Sequence, residues 1–418
     1  MKPGYGRVLA AISERDVVSL LQDLVRIPSV YNPEVPGQNE ERVADYVAAF
    51  LRNLGAEVHV EEVAPGRPNV IGLIRGTRPG PCLLLEAHSD VVTPGDPAGW
   101  THAPFGAEIV GRRLYGRGAC DTKNGITSAL MAVKAVLESG VNFPGTIMLV
   151  VPVDEEGMML GIKHFINQGW ADNVDAALIC EPEDNRICVA QKGAMRVLVH
   201  IKGKQSHGCM PFAGINPNLR MAEFILEAAA YERREVERLG RHPHLGVPSL
   251  TPTVVRAPAQ GEGQFNVVPA DCLIAYDIRT VPGQDHKTLY HDLQGIAQQL
   301  RETDPEKINF ELSWIEDRPV TQTPVQEPIV QAVARAYRLL TGQEPVYDGV
   351  PGATDGTFLA ACKNIPVVVT GSGVREVPHQ YDEWVDIDQL LETTRLYALS
   401  ILEFLNEGGS APRKERES

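Results

Sequence analysis

Apolar residues along this chain change period several times, and the order of the changes describes a fold. Across residues 13–54 they recur at helical spacing, with Val43, Val47, Phe50 and Leu51 on one stripe, so the segment reads as helix. Strand-like apolar runs and helical stretches then alternate to about residue 192, the pattern of an α/β domain with a mostly parallel sheet flanked by helices. Beyond 195 the texture changes. A strand at 196–201 precedes a long helix at 218–239, strands at 251–257 and 267–280, a helix at 287–300 and a strand at 307–314. That βαββαβ order predicts a small ferredoxin-like sandwich. After Pro319 the first texture resumes: a helix at 329–340, a glycine-rich stretch at 348–356, a strand before Gly371 and a closing helix at 388–405. The expected architecture is a discontinuous main domain, residues 1–194 and 315–418, carrying an inserted domain at 195–314, with a cleft between them as the natural site. Residues 408–418, rich in glycine, serine and charge, predict a mobile tail.

Composition adds limits. A chain of 418 residues is long for one hydrophobic core and comfortable for two. Its 43% hydrophobic and 22% charged content is ordinary for a globular protein. No apolar run approaches the roughly 20 residues needed to span a bilayer, so no membrane association is expected. The first six residues lack an apolar signal core, and the seven cysteines show no C-x-x-C spacing, which together predict a cytoplasmic protein. A net charge of −15 argues against nucleic-acid partners, which need a clustered basic face.

The strand-like runs share a kind of ending. Residues 81–87 lead into His88-Ser89-Asp90, 146–153 into Asp154-Glu155-Glu156, 176–180 into Glu181, and 366–370 lead on to His379. Asp121 stands in the turn Gly116-Arg117-Gly118-Ala119-Cys120-Asp121, just before a helix-like stretch. Ligands of open α/β sheets gather at the carboxyl ends of strands, so acids and imidazoles collected there point to bound cations. In an extended segment His88 and Asp90 point to one side, which lets Asp90 orient the imidazole while His88 binds metal as the neutral base. Adjacent Glu155 and Glu156 face opposite ways, so one can hold a metal while the other serves as general base. The turn around Asp121 has neither glycine pattern of a phosphate cradle, and an aspartate would repel phosphate. Its two oxygens can instead bridge two cations about 3.5–4 Å apart.

The runs His88-Ser89-Asp90-Val91-Val92, Gly116 to Gly125, Asp154-Glu155-Glu156, Glu181-Pro182 and Pro378-His379 with Asp382-Glu383 resemble the co-catalytic metallohydrolase family of acetylornithine deacetylase, succinyl-diaminopimelate desuccinylase, aminoacylase and carboxypeptidase G. The resemblance covers essentially the whole chain. It implies two divalent metal ions per chain, with zinc expected and cobalt or manganese as alternatives. By it, His88 and Glu181 hold one metal, Glu156 and His379 the other, Asp121 bridges, Glu155 is the acid/base and Asp90 orients His88. The inserted domain looks like that family's lid and dimerisation domain, which implies a homodimer or higher homo-oligomer. Gly203-Lys204-Gln205-Ser206-His207 is similar to the segment whose histidine stabilises the oxyanion in a neighbouring subunit, a role His207 would take. Asn266 and Arg279 resemble substrate-holding lid residues, Arg279 being suited to a bidentate grip on a carboxylate.

The stretch from Gly352 through Thr354 to Phe358 resembles the desuccinylase glycine loop and adds Gly352 and Thr354 as substrate contacts. Thr357 stands where an arginine is typical, which argues against a dianionic succinyl substrate. Met158 and Met159 replace small residues and point to a more apolar or narrower pocket wall. Cys120, Cys180, Cys209 and Cys362, near these segments, read as small buried fillers. The expected function is metal-dependent hydrolysis of the amide bond of a small N-acyl amino acid or peptide-like molecule. The alternatives are a dipeptidase, a carbamoylase, a hydrolase of an unusual C–N bond such as an aryl amine, or a non-catalytic metal-binding protein on the same fold.

Overall fold

The computed structural model describes Lys2, residues 4–306 and residues 308–407; the tail expected at 408–418 lies outside the described residues. The described chain folds as two compact units. One runs to Ala190 and resumes over Gln322–Gly349 and from Thr354; the other takes in Gln191–Thr321 and Val350–Ala353.

At the centre of the first unit lie four parallel strands, in the order Pro144–Val151, Arg78–Glu86, Ala176–Ile179 and Val367–Val369. Leu83, Leu84 and Leu85 are all fully buried, as an unbroken apolar run must be when helices cover both faces of a sheet. Leu83 and Leu85 join the apolar cluster that includes the helices Lys123–Glu138 and Ile387–Glu407. Leu84, one residue out of phase, faces the opposite side. Antiparallel strands extend this parallel centre. Arg67–Arg75 pairs with Pro144–Val151, Glu57–Ala64 with Arg67–Arg75, and Ile187–Gln191 with Val367–Val369, so the sheet is mixed. Because the central strands share one direction, their carboxyl ends all open at one edge of the sheet.

The second unit has a four-stranded antiparallel sheet in the order Ser249–Arg256, Asp271–Thr280, Gly193–Lys202, Asn309–Arg318. Burial alternates strictly along Asp271–Thr280, as expected when helices cover one face only. Phe224 of the helix Pro217–Leu239 and Leu289 and Leu293 of the helix His286–Thr303 pack on that face against Val197, Val199, Ile274 and Tyr276. The sheet strands and long helices follow the order βαββαβ.

Two expected elements divide. Residues 13–54 are not one helix but two, Glu14–Val25 and Glu41–Asn53. The segment between them carries Pro28, Pro33 and Pro36, each lacking the N–H that a helix interior requires. Likewise 267–280 is not one strand. Val267–Val268 pairs with Ser206–His207 in a separate ribbon, and the sheet strand begins only at Asp271, beyond Pro269. Two of the four cysteines expected to be buried, Cys209 and Cys362, are exposed; both lie on segments whose neighbours also face solvent.

The irregular start of the strand Pro144–Val151, where its pairing with Arg78–Glu86 shifts register, shows what the parallel centre requires. Gly145 has φ +77°, and a Cβ there would lie 2.0 Å from the Pro81 carbonyl oxygen; Gly55 has a similar φ of +80° but open space around it. Gly55→Ala should therefore cost about 1 kcal/mol for the left-handed backbone alone. Gly145→Ala should cost about 1–3 kcal/mol more for the collision. Urea denaturation followed by circular dichroism checks this, and equal losses in the two variants would contradict it.

Candidate metal centre

Each acidic or imidazole residue at the open edge is placed by the strand or turn before it. Where Arg78–Glu86 ends, Ser89 donates from its N–H (2.8 Å) and its hydroxyl (2.9 Å) to the Pro152 carbonyl, tying together the ends of two adjacent parallel strands. The next residue, Asp90, accepts N–H bonds from Glu155 and Glu156 on its two carboxylate oxygens, at 3.1 Å each. The Asp121 turn is gathered by Glu383, whose Oε1 accepts from the N–H groups of Gly118 (3.0 Å), Cys120 (2.8 Å) and Asp121 (3.0 Å). Arg117 pairs with the other Glu383 oxygen and donates to the His379 carbonyl at 3.3 Å. Thr122 Oγ1 donates to the Cys180 carbonyl at 2.6 Å, which ties the Asp121 turn to the segment carrying Glu181.

These ties bring seven predicted residues of the first unit to one place. His88 Nε2 lies 3.1 Å from Asp121 Oδ1 and 3.6 Å from Glu181 Oε1. His379 Nε2 lies 3.3 Å from Asp121 Oδ2 and 2.8 Å from Glu156 Oε1. Two groups of donors result, His88–Asp121–Glu181 and Asp121–Glu156–His379, each with its donor atoms within 4.8 Å of one another. Asp121 belongs to both and turns one oxygen to each imidazole. The far nitrogen of His88, Nδ1, is 3.0 Å from the Asp90 carbonyl and 3.6 Å from Asp90 Oδ1, so the backbone of Asp90 makes the closer approach. Glu155 is buried at the same edge, its N–H held by Asp90.

The charges are strongly perturbed. Burial pushes the Glu181 carboxyl well up, and Asp121 and Glu155 add to the rise while His88 opposes it. Burial also raises Glu156, with Asp121 adding to it. Burial alone would lower His88, but the Glu181 and Asp121 carboxylates outweigh it and hold the imidazole well above its usual range. Hydrogen bonds to Asp121 and Glu156 raise His379 to about 10. Burial would raise Asp121, yet bonds to His379 and His88 hold it below the usual carboxylate range.

This donor set suits divalent cations. Three carboxylates and two imidazoles are oxygen and nitrogen ligands of the kind zinc, cobalt and manganese accept. Glu181 Oε1 is buried with no hydrogen-bond partner, an unmet acceptor beside His88 that a cation would satisfy.

The family model for peptidase family M20/M25/M40 matches residues 84–403. The chain belongs to this family. As a family member it is a hydrolase of C–N bonds, acting on amide bonds of acyl amino acids or peptides. It is 26% identical over 424 residues to a probable succinyl-diaminopimelate desuccinylase of Staphylococcus aureus strain N315, covering 96% of this chain and all of that protein. It is also 26% identical over 415 residues to the N-formyl-4-amino-5-aminomethyl-2-methylpyrimidine deformylase of Bacillus subtilis strain 168, covering 94% of each. The M20 family metallo-carboxypeptidase Sso-CP2 of Sulfolobus solfataricus shares the fold, with a TM-score of 0.77 at 20% identity over 93% of this chain and 99% of that one. Among the described residues, no helix is long and apolar enough to cross a membrane.

The other predicted residues of this M20 chain lie outside the two donor groups. Thr354 is buried ahead of the helix Gly356–Lys363, its Oγ1 accepting from the Gly356 N–H at 3.3 Å. In the second unit His207 pairs with Val267, and the Asn266 carbonyl accepts from the Gly208 N–H at 2.6 Å, so His207 and Asn266 are neighbours. Arg279 already has an acid: Asp277 accepts from its Nε at 2.6 Å and its Nη2 at 3.2 Å. Gly352 is part of the short Val350–Ala353 stretch of that unit. Met158 is exposed whereas Met159 is fully buried.

Several residues that sequence reasoning left without a role surround the cluster. Glu86 is fully buried, has no hydrogen-bond partner on either oxygen and is raised to about 8, chiefly by burial. Asp355 is likewise buried and unpartnered, and burial and then Glu86 push it well up. A carboxylate inside the apolar run Leu83-Leu84-Leu85-Glu86-Ala87 was the legible oddity, since glutamate is rarely buried without a partner. Glu383 is raised to about 7 by burial although Arg117 opposes the rise.

Proton competition follows from the raised His379. In the metal-free chain its imidazole is protonated at neutral pH, and an ion binding there must displace that proton. Ion binding near pH 7 should release protons, and apparent affinity should fall as pH falls, about tenfold per unit for each proton displaced. Calorimetry in buffers of different ionisation enthalpy reads the release. His379→Gln should lower it by nearly one proton, and an unchanged release in that variant would contradict the assignment.

Proposed function

We propose that this M20 chain is a two-metal hydrolase of the amide bond in a small N-acyl amino acid or peptide-like substrate. The observation that carries the reading is Asp121, which offers one carboxylate oxygen to each of two histidine-containing donor groups. In this reading His88, Asp121 and Glu181 hold one ion and Asp121, Glu156 and His379 the other, with zinc the expected metal. When bound, such ions polarise a carbonyl and bring the pKa of a water toward about 7. Glu155 then takes a proton from the attacking water and delivers it to the amine as the C–N bond breaks. Asp90 keeps the backbone of Glu155 and Glu156 in place through the two N–H bonds and steadies His88.

The second unit is read as the lid and dimerisation domain of a homo-oligomer. His207 of a partner subunit would donate to the developing oxyanion. Asn266, Arg279, Gly352 and Thr354 would bind the substrate, and Arg279 would take its carboxylate in exchange for Asp277. The relatives named for succinyl and formyl removal both act on N-acyl groups, which supports this substrate class. Thr357 is fully buried and brings no positive charge, so a second substrate carboxylate has no partner there. We place the enzyme in the cytoplasm.

The test combines elemental analysis with amine release from a panel of N-acyl amino acids, dipeptides and carbamoyl compounds, before and after chelation and metal re-addition. Two ions per chain are expected, with activity that vanishes on chelation and returns with metal. Glu155→Gln should keep both ions while kcat falls about 10²–10⁴-fold, the usual contribution of a general base. A fully active Glu155→Gln enzyme would sink the mechanism.

A further inference from the structure

Beneath the turn that carries Glu155 and Glu156 lies a buried ion cluster that touches neither donor group. Arg67, the first residue of the strand Arg67–Arg75, is 3% exposed. Its Nε donates to both oxygens of Glu40 at 3.0 Å, and Glu40 is itself fully buried. Its guanidinium lies 3.6 Å from the ring centroid of Tyr31, so one face of the fork is covered by an aromatic side chain. The remaining arm reaches forward: Nη1 lies 2.7 Å from Asp154 Oδ1.

Asp154 is the first residue of the turn, and it sits at φ +68°, a left-handed conformation uncommon for residues with a Cβ and adopted most readily among them by Asp and Asn. Its contacts fix the turn. While Oδ1 is taken by Arg67, Oδ2 accepts from the N–H of Met158 at 2.9 Å and of Leu160 at 3.4 Å. The Asp154 carbonyl accepts from the N–H of Met159 at 2.7 Å. Gly157 comes so close to Asp154 that a Cβ there would lie 2.6 Å from Oδ1. The turn is therefore gripped on two sides. Asp90 holds the N–H groups of Glu155 and Glu156 from the His88 side, and Asp154 holds the return of the same turn, anchored through Arg67 to Glu40, the residue that precedes the helix Glu41–Asn53.

We propose that Arg67 is a positioning residue for Glu155 and Glu156, acting through Asp154. The inference rests on the hydrolase reading for the role of Glu155, but its consequence for Glu156 does not need turnover to be seen. A guanidinium suits this place because its planar fork satisfies Glu40 with one edge and Asp154 with the remaining arm, which a lysine's single ammonium cannot do in the same geometry. A positioning role predicts a specific pattern. Loosening the turn should reduce the rate of the chemical step and weaken the ion site that uses Glu156, while leaving substrate affinity and the site that uses Glu181 as they were.

The test uses Asp154→Asn in the full chain, which removes the charge facing Arg67 but retains an oxygen for the Met158 and Leu160 N–H groups and leaves the Arg67–Glu40 pair whole. With the substrate identified from the panel, kcat should fall about 10–100-fold, the range seen when groups supporting a metal site are removed, with KM within about threefold of the parent. Metal titration should show one binding step weakened about tenfold. That step should be the one Glu156→Gln also weakens, and the step sensitive to Glu181→Gln should be unchanged. Should Asp154→Asn not fold, the double variant Arg67→Met/Glu40→Gln, which removes the guanidinium without stranding the charge of Glu40, carries the same comparison. Unchanged kcat and unchanged metal steps would overturn the proposal. Equal weakening of both steps together with a lowered thermal midpoint would also overturn it, since that is general destabilisation. A parent enzyme that binds two ions but hydrolyses nothing in the panel would sink the hydrolase reading instead, and the metal titration would still decide for or against Arg67.

Discussion

Like charge gathered in a buried place is the constraint on which the rest of this structure depends. Asp121, Glu156 and Glu181 converge at the edge of one sheet, with Glu86 and Asp355 buried nearby, and burial pushes all of these glutamates toward the protonated form. Carboxylates at such distances repel one another strongly when water is excluded. What keeps them together is the framework of N–H groups and opposite charges: two amides on Asp90, three on Glu383, two on Asp154, and the arginines Arg117 and Arg67. Two imidazoles compensate part of the charge, and the donor set is complete in kind when cations supply the remainder.

The sheet makes that gathering possible. Parallel strands end at the same edge, so residues distant in sequence, from His88 to Glu181, arrive side by side without long excursions. Helices on both faces exclude water from the strand bodies, and this is why the site forms where the chain leaves the sheet and turns toward solvent. The loops do not wander there. Ser89 on Pro152 and Thr122 on Cys180 fasten neighbouring loops to one another, so that the donors are held by backbone geometry as well as by their own contacts. Chemistry of this kind needs atoms fixed to a fraction of an ångström, and a rigid edge with short exits provides that.

The second unit obeys a different logic. Its sheet is antiparallel with one face covered by two helices, which leaves the other face partly open and the strands alternating rather than uniformly apolar. A sheet of this kind can present side chains without burying them, as with Arg279, which is partly exposed and paired with Asp277.

Period and strand endings were enough to name the α/β texture, the βαββαβ unit and the acids and imidazoles at strand ends, because burial on one or both faces imposes its pattern directly on the order of residues. Breaks inside elements were harder to see. Prolines, which lack the N–H that a helix or sheet ladder uses, mark where both stop: Pro28, Pro33 and Pro36 between the two helices, and Pro269 before the sheet strand. Tertiary structure alone decided which oxygens of Asp121 meet which histidine, that the carbonyl of Asp90 approaches His88 more closely than its carboxylate, and that Glu383 and Arg67 reach across to hold loops far from them in sequence. Those are contacts between segments that fold brings together, and no local pattern records a distance between residues 67 and 154 or between 121 and 383. The sequence by itself determined which elements form and which chemistry is available at their ends; the packing of the elements determined the geometry in which that chemistry is held.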